Sequence, residues 1–388
     1  MRIVDILERA VDISRYDDPA LPSGGLNTSI VAVSTDAVVD GAAITGYGFS
    51  SIGRFAQSGL IRERFAPRLL AAPSAAILDD DGSNFDPFAA WNIMMNGEKP
   101  GGHGERCVAV GALDMALWDA AAKIARLPLH AFIKLRTRNQ MADAGCVRVY
   151  AGGGYRYPAD DRRRLADEMR RMLDRGFTHA KIKIGGAPLA DDLHRIESAA
   201  AVLASSDRVA VDAMNAYDAS RSLEAADALA PYGLLWFEDV CDPLDFDTHA
   251  AVARRYGHPI AAGEALFSAA EAQLLDRFGG LRRDRDILLF DPAHCYGLPG
   301  YLRIVDLLER AGWPRSAFWP HGGHLYTLHV AGALALGGAE LNPFSFQPFG
   351  GLPDGMVVEN GRTRLPQSPG IGFEEKRELA KLFAELAS

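Results

Sequence analysis

Two lysines stand two residues apart in the stretch Thr178-His179-Ala180-Lys181-Ile182-Lys183-Ile184, which a glycine pair closes at Gly185-Gly186. Side chains alternate faces along a strand, so Lys181 and Lys183 share one face while Ala180, Ile182 and Ile184 take the other. Two ammonium groups on one face of an apolar strand disfavour each other's protonation, and desolvation adds to the effect. That is how a lysine becomes a base near neutral pH. Further along, Asp212, Glu238, Glu264, Asp291 and His321 each follow a short apolar run, at spacings of 29, 26, 26, 27 and 30 residues from Lys183 onward. Three carboxylates brought together in a dry place require a cation, and oxygen-only ligation selects a hard divalent metal, Mg²⁺ first. Asp291 beside His321 would fix the imidazole tautomer and leave its other nitrogen free for proton transfer. Taken singly, each acid could as well start a loop or cap a helix.

The repeat that spaces these residues is a strand followed by a helix. From Cys146 onward the pattern runs through strands at Cys146 to Ala151, Thr178 to Ile184, Arg208 to Ala213, Leu234 to Glu238, Ile260 to Glu264, Ile287 to Asp291 and Ala317 to His321. Helical periodicity separates them, and Phe344 to Phe349 can supply an eighth strand. Seven or eight such units in succession predict an α/β fold, a (β/α)7β TIM-like barrel, with an open doubly wound sheet as the alternative. The spaced residues then end successive strands on one rim, where barrels place their active sites. Ahead of the barrel, strands at Arg2 to Val11, Thr28 to Val33 and Ala43 to Phe49 precede helices at Ile61 to Leu70 and Val108 to Ile124. This predicts an α+β capping domain over residues 1–140, a barrel over 141–350, and a segment 351–388 folding back on the cap.

The bulk properties narrow the partners. The chain of 388 residues carries a formal net charge of −9, with 48% hydrophobic and 23% charged residues. That balance argues against nucleic acid or an anionic membrane as partner. No apolar run is long enough to span a bilayer, and the first residues open no signal peptide. Cys107, Cys146, Cys241 and Cys295 have no paired short spacing, so reduced thiols and a cytoplasmic location are expected. The expected partners are a small acid and further copies of the chain in a homo-oligomer.

Together, Lys181-x-Lys183, Asp212, Glu238, Glu264, Asp291 and His321 resemble the enolase superfamily, mandelate racemase subgroup. Asp114 to Asp119 (Asp-Met-Ala-Leu-Trp-Asp) and Pro369 to Gly372 extend the resemblance over nearly the whole chain. A narrower resemblance, to the D-tartrate dehydratases, comes from Asn96 to Arg106, from Ile52-Gly53-Arg54-Phe55 and from Pro320-His321-Gly322-Gly323-His324. The resemblance implies abstraction of the proton α to a carboxylate by Lys183, assisted by Lys181. It implies a metal-stabilised enediolate at Asp212, Glu238 and Glu264, and protonation of the departing β-hydroxyl by His321 oriented by Asp291. The product would be a 2-keto acid. Lys99, Arg54, His103 and Asn215 are the implied substrate contacts, with Lys99 on a distal carboxylate.

The resemblance also lays the loop Tyr16 to Asn27 over the substrate, where specificity is decided, and it leaves the contacts of that loop open. The chain departs from the family pattern in two further places. Asp212-Ala-Met-Asn215 has one residue more than the usual Asp-x-Asn, and the expected last strand, Phe344 to Phe349, carries no glutamate. The second departure disfavours the alternative activity, racemisation or epimerisation of a 2-hydroxy acid. A catalytically silent metal- or acid-binding barrel is the non-enzymatic alternative, and no residue that chemistry needs is missing.

Overall fold

The computed structural model describes residues 1–138 and 145–387. The cap–barrel boundary expected near residue 140 lies outside the described residues. The chain opens with a three-stranded antiparallel sheet, β1 (Ile3–Asp12), β2 (Asn27–Val39) and β3 (Ala42–Phe49). Helices Pro87–Met95, Glu105–Ile124 and Leu129–Thr137 follow. The long helix Glu105–Ile124 is buried along most of its length. Its two aspartates have structural work: Asp114 accepts from the Leu298 amide (2.8 Å), and Asp119 accepts from the Tyr47 and Ile371 amides (2.9 and 2.7 Å).

A parallel sheet then runs in the order β10 (Ala339–Leu341), β4 (Cys146–Ala151), β5 (Ala180–Lys183), β6 (Val209–Asp212), β7 (Trp236–Glu238), β8 (Ile260–Ala262) and β9 (Ile287–Leu288). The segment 318–321 lies between β9 and β10, joined to β9 by a single parallel bridge at Phe318, while Ala317 closes a short 3₁₀ turn. Trp319 and His321 donate to the carbonyls of Leu288 and Leu289, and the Glu340 amide donates to Pro320. With that segment seventh in order, the sheet curls round as the expected barrel, helices outside. Its interior alternates large and small side chains, Tyr150 and Trp236 against Ala210 and Ala261, which fills the curve without a pore.

Three expectations about the strands need correction. The eighth strand is Ala339–Leu341, not Phe344 to Phe349, where the backbone turns. β8 and β9 are shorter than expected, so Glu264 and Asp291 stand on the loops just beyond them. At the first of these, Gly263 takes a positive φ of 125°, which ends the extended run before Glu264.

After the barrel, β11 (Arg362–Arg364) pairs antiparallel with β4. Helix Arg377–Ala387 packs on β1 and β2, with Phe383 stacked on Tyr47 at 4.6 Å. One hydrophobic cluster joins cap residues such as Ile30, Phe49 and Trp118 to Phe290, Tyr301 and Phe318 of the barrel's second half. A shared core of this kind holds the cap loops over one part of the rim. Among the described residues no helix is long and apolar enough to cross a membrane.

Candidate active site

The site grows from strand register. In parallel pairing Lys183 sits beside Asp212, and Asp212 beside Glu238, so the three side chains leave their strands at one level and in one direction. Lys181, one pleat deeper, is fully buried; its Nζ lies 2.5 Å from Glu238 Oε1 and 3.7 Å from Asp212 Oδ2. Lys183 donates to Asp212 Oδ2. Glu264 completes the group: Asp212, Glu238 and Glu264 each offer a carboxylate oxygen, all within 4.8 Å of one another.

Electrostatics show how much this group needs positive charge. Burial pushes Glu238 up to about 8, Lys181 opposing and the neighbouring carboxylates adding to the rise. Asp212 goes the other way, to about 2, because Lys183 and Lys181 outweigh its burial. Burial likewise opposes the Lys183 ammonium, yet Asp212 holds its pKa above the ordinary lysine value. Glu264 Oε2 is buried with no hydrogen-bond partner among the described residues. An all-oxygen set of three converging carboxylates, one of them unsatisfied, fits a hard divalent cation.

Across the cavity, Asp291 Oδ2 accepts from Ser51 Oγ (2.7 Å) and lies 3.0 Å from His321 Nδ1, while Oδ1 accepts from the Ala293 amide (2.7 Å). His321 Nε2 faces Glu264 Oε2 at 3.6 Å. Burial favours the neutral imidazole, but Glu264 and the Asp291 hydrogen bond raise its pKa to about 9. His294 and His324 flank the pair, both held below the usual histidine value by burial. Gly53 reaches in from the cap, and a β-carbon there would lie 3.9 Å from the His321 ring.

Lys183, Asp212, Glu264 and His321 line one cavity of about 210 Å³, walled also by Arg15, Arg54, Tyr155, Asn215, Asp239, His294 and Phe346; Lys181, Glu238 and Asp291 stand behind this lining. Lys183, Asp212, Glu264, His321, Arg54 and Asn215 thus face a common space. Asn215 gets there despite the extra residue after Asp212, because Met214 and Asn215 both adopt left-handed conformations, φ 52° and 56°. Its amide nitrogen then donates to Asp239 Oδ2 (3.0 Å). Two non-glycine residues in this region cost about 1–2 kcal/mol each, the kind of strain that collects at functional sites.

Lys99 and His103 are not among the lining residues. Lys99 is exposed, its carbonyl accepting from Arg106 (2.9 Å), and His103 Nδ1 lies 3.1 Å from the Tyr296 hydroxyl.

The sequence reading missed Glu340. It stands on β10 in the barrel interior, its Oε1 3.4 Å from Lys181 Nζ and its Oε2 accepting from the Gly322 amide (3.3 Å). Burial raises its pKa, but Lys181, His321 and Lys183 together outweigh it and hold the carboxyl below the ordinary glutamate value. Gly152, just beyond the end of the neighbouring strand β4, makes room, since a β-carbon there would collide with Glu340 and Asn342. A glutamate is therefore present on the eighth strand, and its supposed absence no longer counts against racemisation. The signal was Ala339-Glu340-Leu341 directly after a glycine pair, 19 residues past His321.

Comparison with known proteins places the fold in a family. The family model described as Enolase C-terminal domain-like matches residues 164–379. Arabinonate dehydratase of Saccharolobus solfataricus is 27% identical, the match covering 70% of this chain and 71% of that one. L-talarate/galactarate dehydratase of Salmonella typhimurium is 26% identical over 80% and 74% of the two chains. Among solved structures, L-talarate dehydratase from Polaromonas sp. JS666, complexed with Mg and L-glucarate, superposes with a TM-score of 0.72 at 26% identity, over 96% of this chain and 94% of that one. The chain belongs to the enolase/mandelate racemase superfamily.

Proposed function

We propose that the protein is a Mg²⁺-dependent dehydratase of a small hydroxy acid or acid sugar, with D-tartrate the leading candidate. The observation that carries this reading is the placement of Lys183 and His321 on one cavity with Asp212 and Glu264, which form a close carboxylate cluster with the buried Glu238. Mg²⁺ held by those three carboxylates supplies the positive charge that makes a proton next to a carboxylate acidic. Lys183 takes that proton from the α-carbon, which requires Asp212 to be engaged elsewhere than on the Lys183 ammonium. Lys181, buried among Glu238, Asp212 and Glu340, supplies fixed positive charge beside the substrate carboxylate. His321, held by Asp291, gives its proton to the departing β-hydroxyl. The carbon–oxygen bond breaks, water leaves, and the enol product becomes the 2-keto acid. Arg54 and Asn215, which line the cavity, contact the remainder of the substrate.

The small cavity supports a small substrate, since pockets for larger ligands usually enclose ≈ 300–1,000 Å³. Relatives named as dehydratases of acid sugars support hydroxyl loss as the outcome.

Glu340 keeps a second reading open, the racemisation or epimerisation of a 2-hydroxy acid, with Lys183 and His321 acting as opposed proton carriers. One experiment separates the two. Purified protein with Mg²⁺ is offered a library of acid sugars and the tartrate isomers in D₂O. Formation of a 2-keto acid is expected. Inverted substrate carrying deuterium and no keto acid would establish the racemase, and neither change with any acid would reject both readings.

A further inference from the structure

Arg15, a cavity-lining residue from the loop between β1 and β2, carries a charge that no carboxylate among the described residues pairs. Everything around it is tied down. Ile13 donates to Leu26 at the base of the loop (3.0 Å), Ser14 accepts from the Phe346 amide beyond β10 (2.7 Å), and the Arg15 amide donates to Ser23 Oγ (2.6 Å). The Tyr16 hydroxyl donates to the Arg156 carbonyl (2.5 Å). The acids that follow are already paired with a barrel helix, Asp17 with Arg171 at 2.5 Å and Asp18 with Arg164 at 3.4 Å.

The Arg15 guanidinium itself makes no ion pair among the described residues. It lies over the Tyr155 ring, 5.7 Å from the centroid, and the same ring carries Lys183 Nζ at 5.2 Å. A half-buried arginine stacked on an aromatic ring keeps its planar fork of donors free, and that fork matches a carboxylate. Most other arginines with restricted exposure here already hold a carboxylate, as Arg156 and Arg195 do.

We propose that Arg15 binds a second carboxylate of the substrate, so that the site selects hydroxy acids with two carboxylates over those with one. The inference rests on the dehydratase reading for its chemistry, and it assigns the distal carboxylate to Arg15 instead of the exposed Lys99. Tartrate and the four-carbon tetronates (threonate, erythronate) form the deciding pair, because they differ only in a carboxylate against a hydroxymethyl group.

The test measures kcat/KM of the Mg²⁺-loaded protein on both acids, and Kd for both by calorimetry in the Lys183→Ala variant, where binding is read without turnover. A charge-assisted bond of this kind corresponds to about ten- to a hundredfold in affinity. Arg15→Met should therefore reduce the preference for tartrate over tetronate by that factor in both measurements. Arg15→Lys, which keeps the charge and loses the fork, should restore part of it. An unchanged preference with Arg15→Met, or equal losses on both acids, overturns the assignment. If no acid yields keto acid, the dehydratase reading fails while the calorimetric preference still decides the role of Arg15.

Discussion

Asp291→Asn offers the most direct probe of how the site divides its proton transfers. The substitution keeps the side chain's shape and can still accept from the Ala293 amide, but it removes the charge that faces His321 Nδ1 at 3.0 Å. His321 stands at about 9 against an ordinary value near 6.5. That rise corresponds to about 3 kcal/mol of preference for the protonated ring. It comes from Glu264 as well as Asp291, and a cation on the carboxylate group would neutralise the Glu264 share. Without Asp291, burial is left to favour the neutral ring, so at pH 8 most of the imidazolium disappears. General acid catalysis contributes about 10²–10⁴-fold, and kcat for hydroxyl loss should fall within that range. The alkaline limb of the kcat profile should move to lower pH, because a group with a raised pKa loses its proton earlier once the raising charge is gone. The assay follows keto acid formation across pH, with exchange of the α-proton into D₂O measured alongside by NMR. Exchange should persist, since Lys183 is untouched. A variant that keeps kcat within about threefold and an unmoved alkaline limb would refute the assignment of Asp291 and His321.

Other expectations follow from the same geometry. Glu238→Gln keeps an acceptor for the Trp236 indole N–H (2.7 Å) but removes a carboxylate charge; Mg²⁺ binding should weaken and turnover vanish with little change in Tm. Undiminished activity in EDTA-treated wild-type protein would contradict the metal assignment. His321→Asn should still exchange the substrate α-proton while failing to expel the hydroxyl, and Lys183→Ala should do neither; normal exchange in Lys183→Ala would reverse the roles. Stability should fall in acid. Burial lowers His324 to about 4 and His329 to about 3, so the folded chain stays neutral where the unfolded chain takes up protons. Their contribution is complete above about pH 6.5 and is lost as the pH drops towards 3–4. A Tm that stays flat between pH 7 and pH 4.5 would exclude this coupling.

Much of the site was legible in the sequence because a βα repeat converts spacing into position. Residues one repeat apart must reach one rim, whatever the loops do, and so Lys183, Asp212, Glu238, Glu264, Asp291 and His321 were identified as neighbours without coordinates. The alternation of faces in a strand likewise gave Lys181 and Lys183 a common direction. The exact ends of the strands were not legible, because strands of two to four residues carry too little pattern to fix them. That is why Glu340 was missed: the eighth strand was expected at Phe344 to Phe349, and it is parallel pairing with β4, Glu340 opposite Tyr150, that makes the three residues after the glycine pair a strand.

The first 140 residues were harder to read for another reason. A cap loop acquires its role from the partner it meets across hundreds of residues. Ser51 hydrogen-bonds Asp291, Ser14 meets Phe346, and nothing local to Arg15 or Lys99 distinguishes the cation that enters the cavity from the one left in solvent. Which residues meet on the barrel rim was determined by sequence periodicity alone. Which cations line the cavity was decided by tertiary packing, because that depends on contacts whose sequence separation no periodic pattern spans.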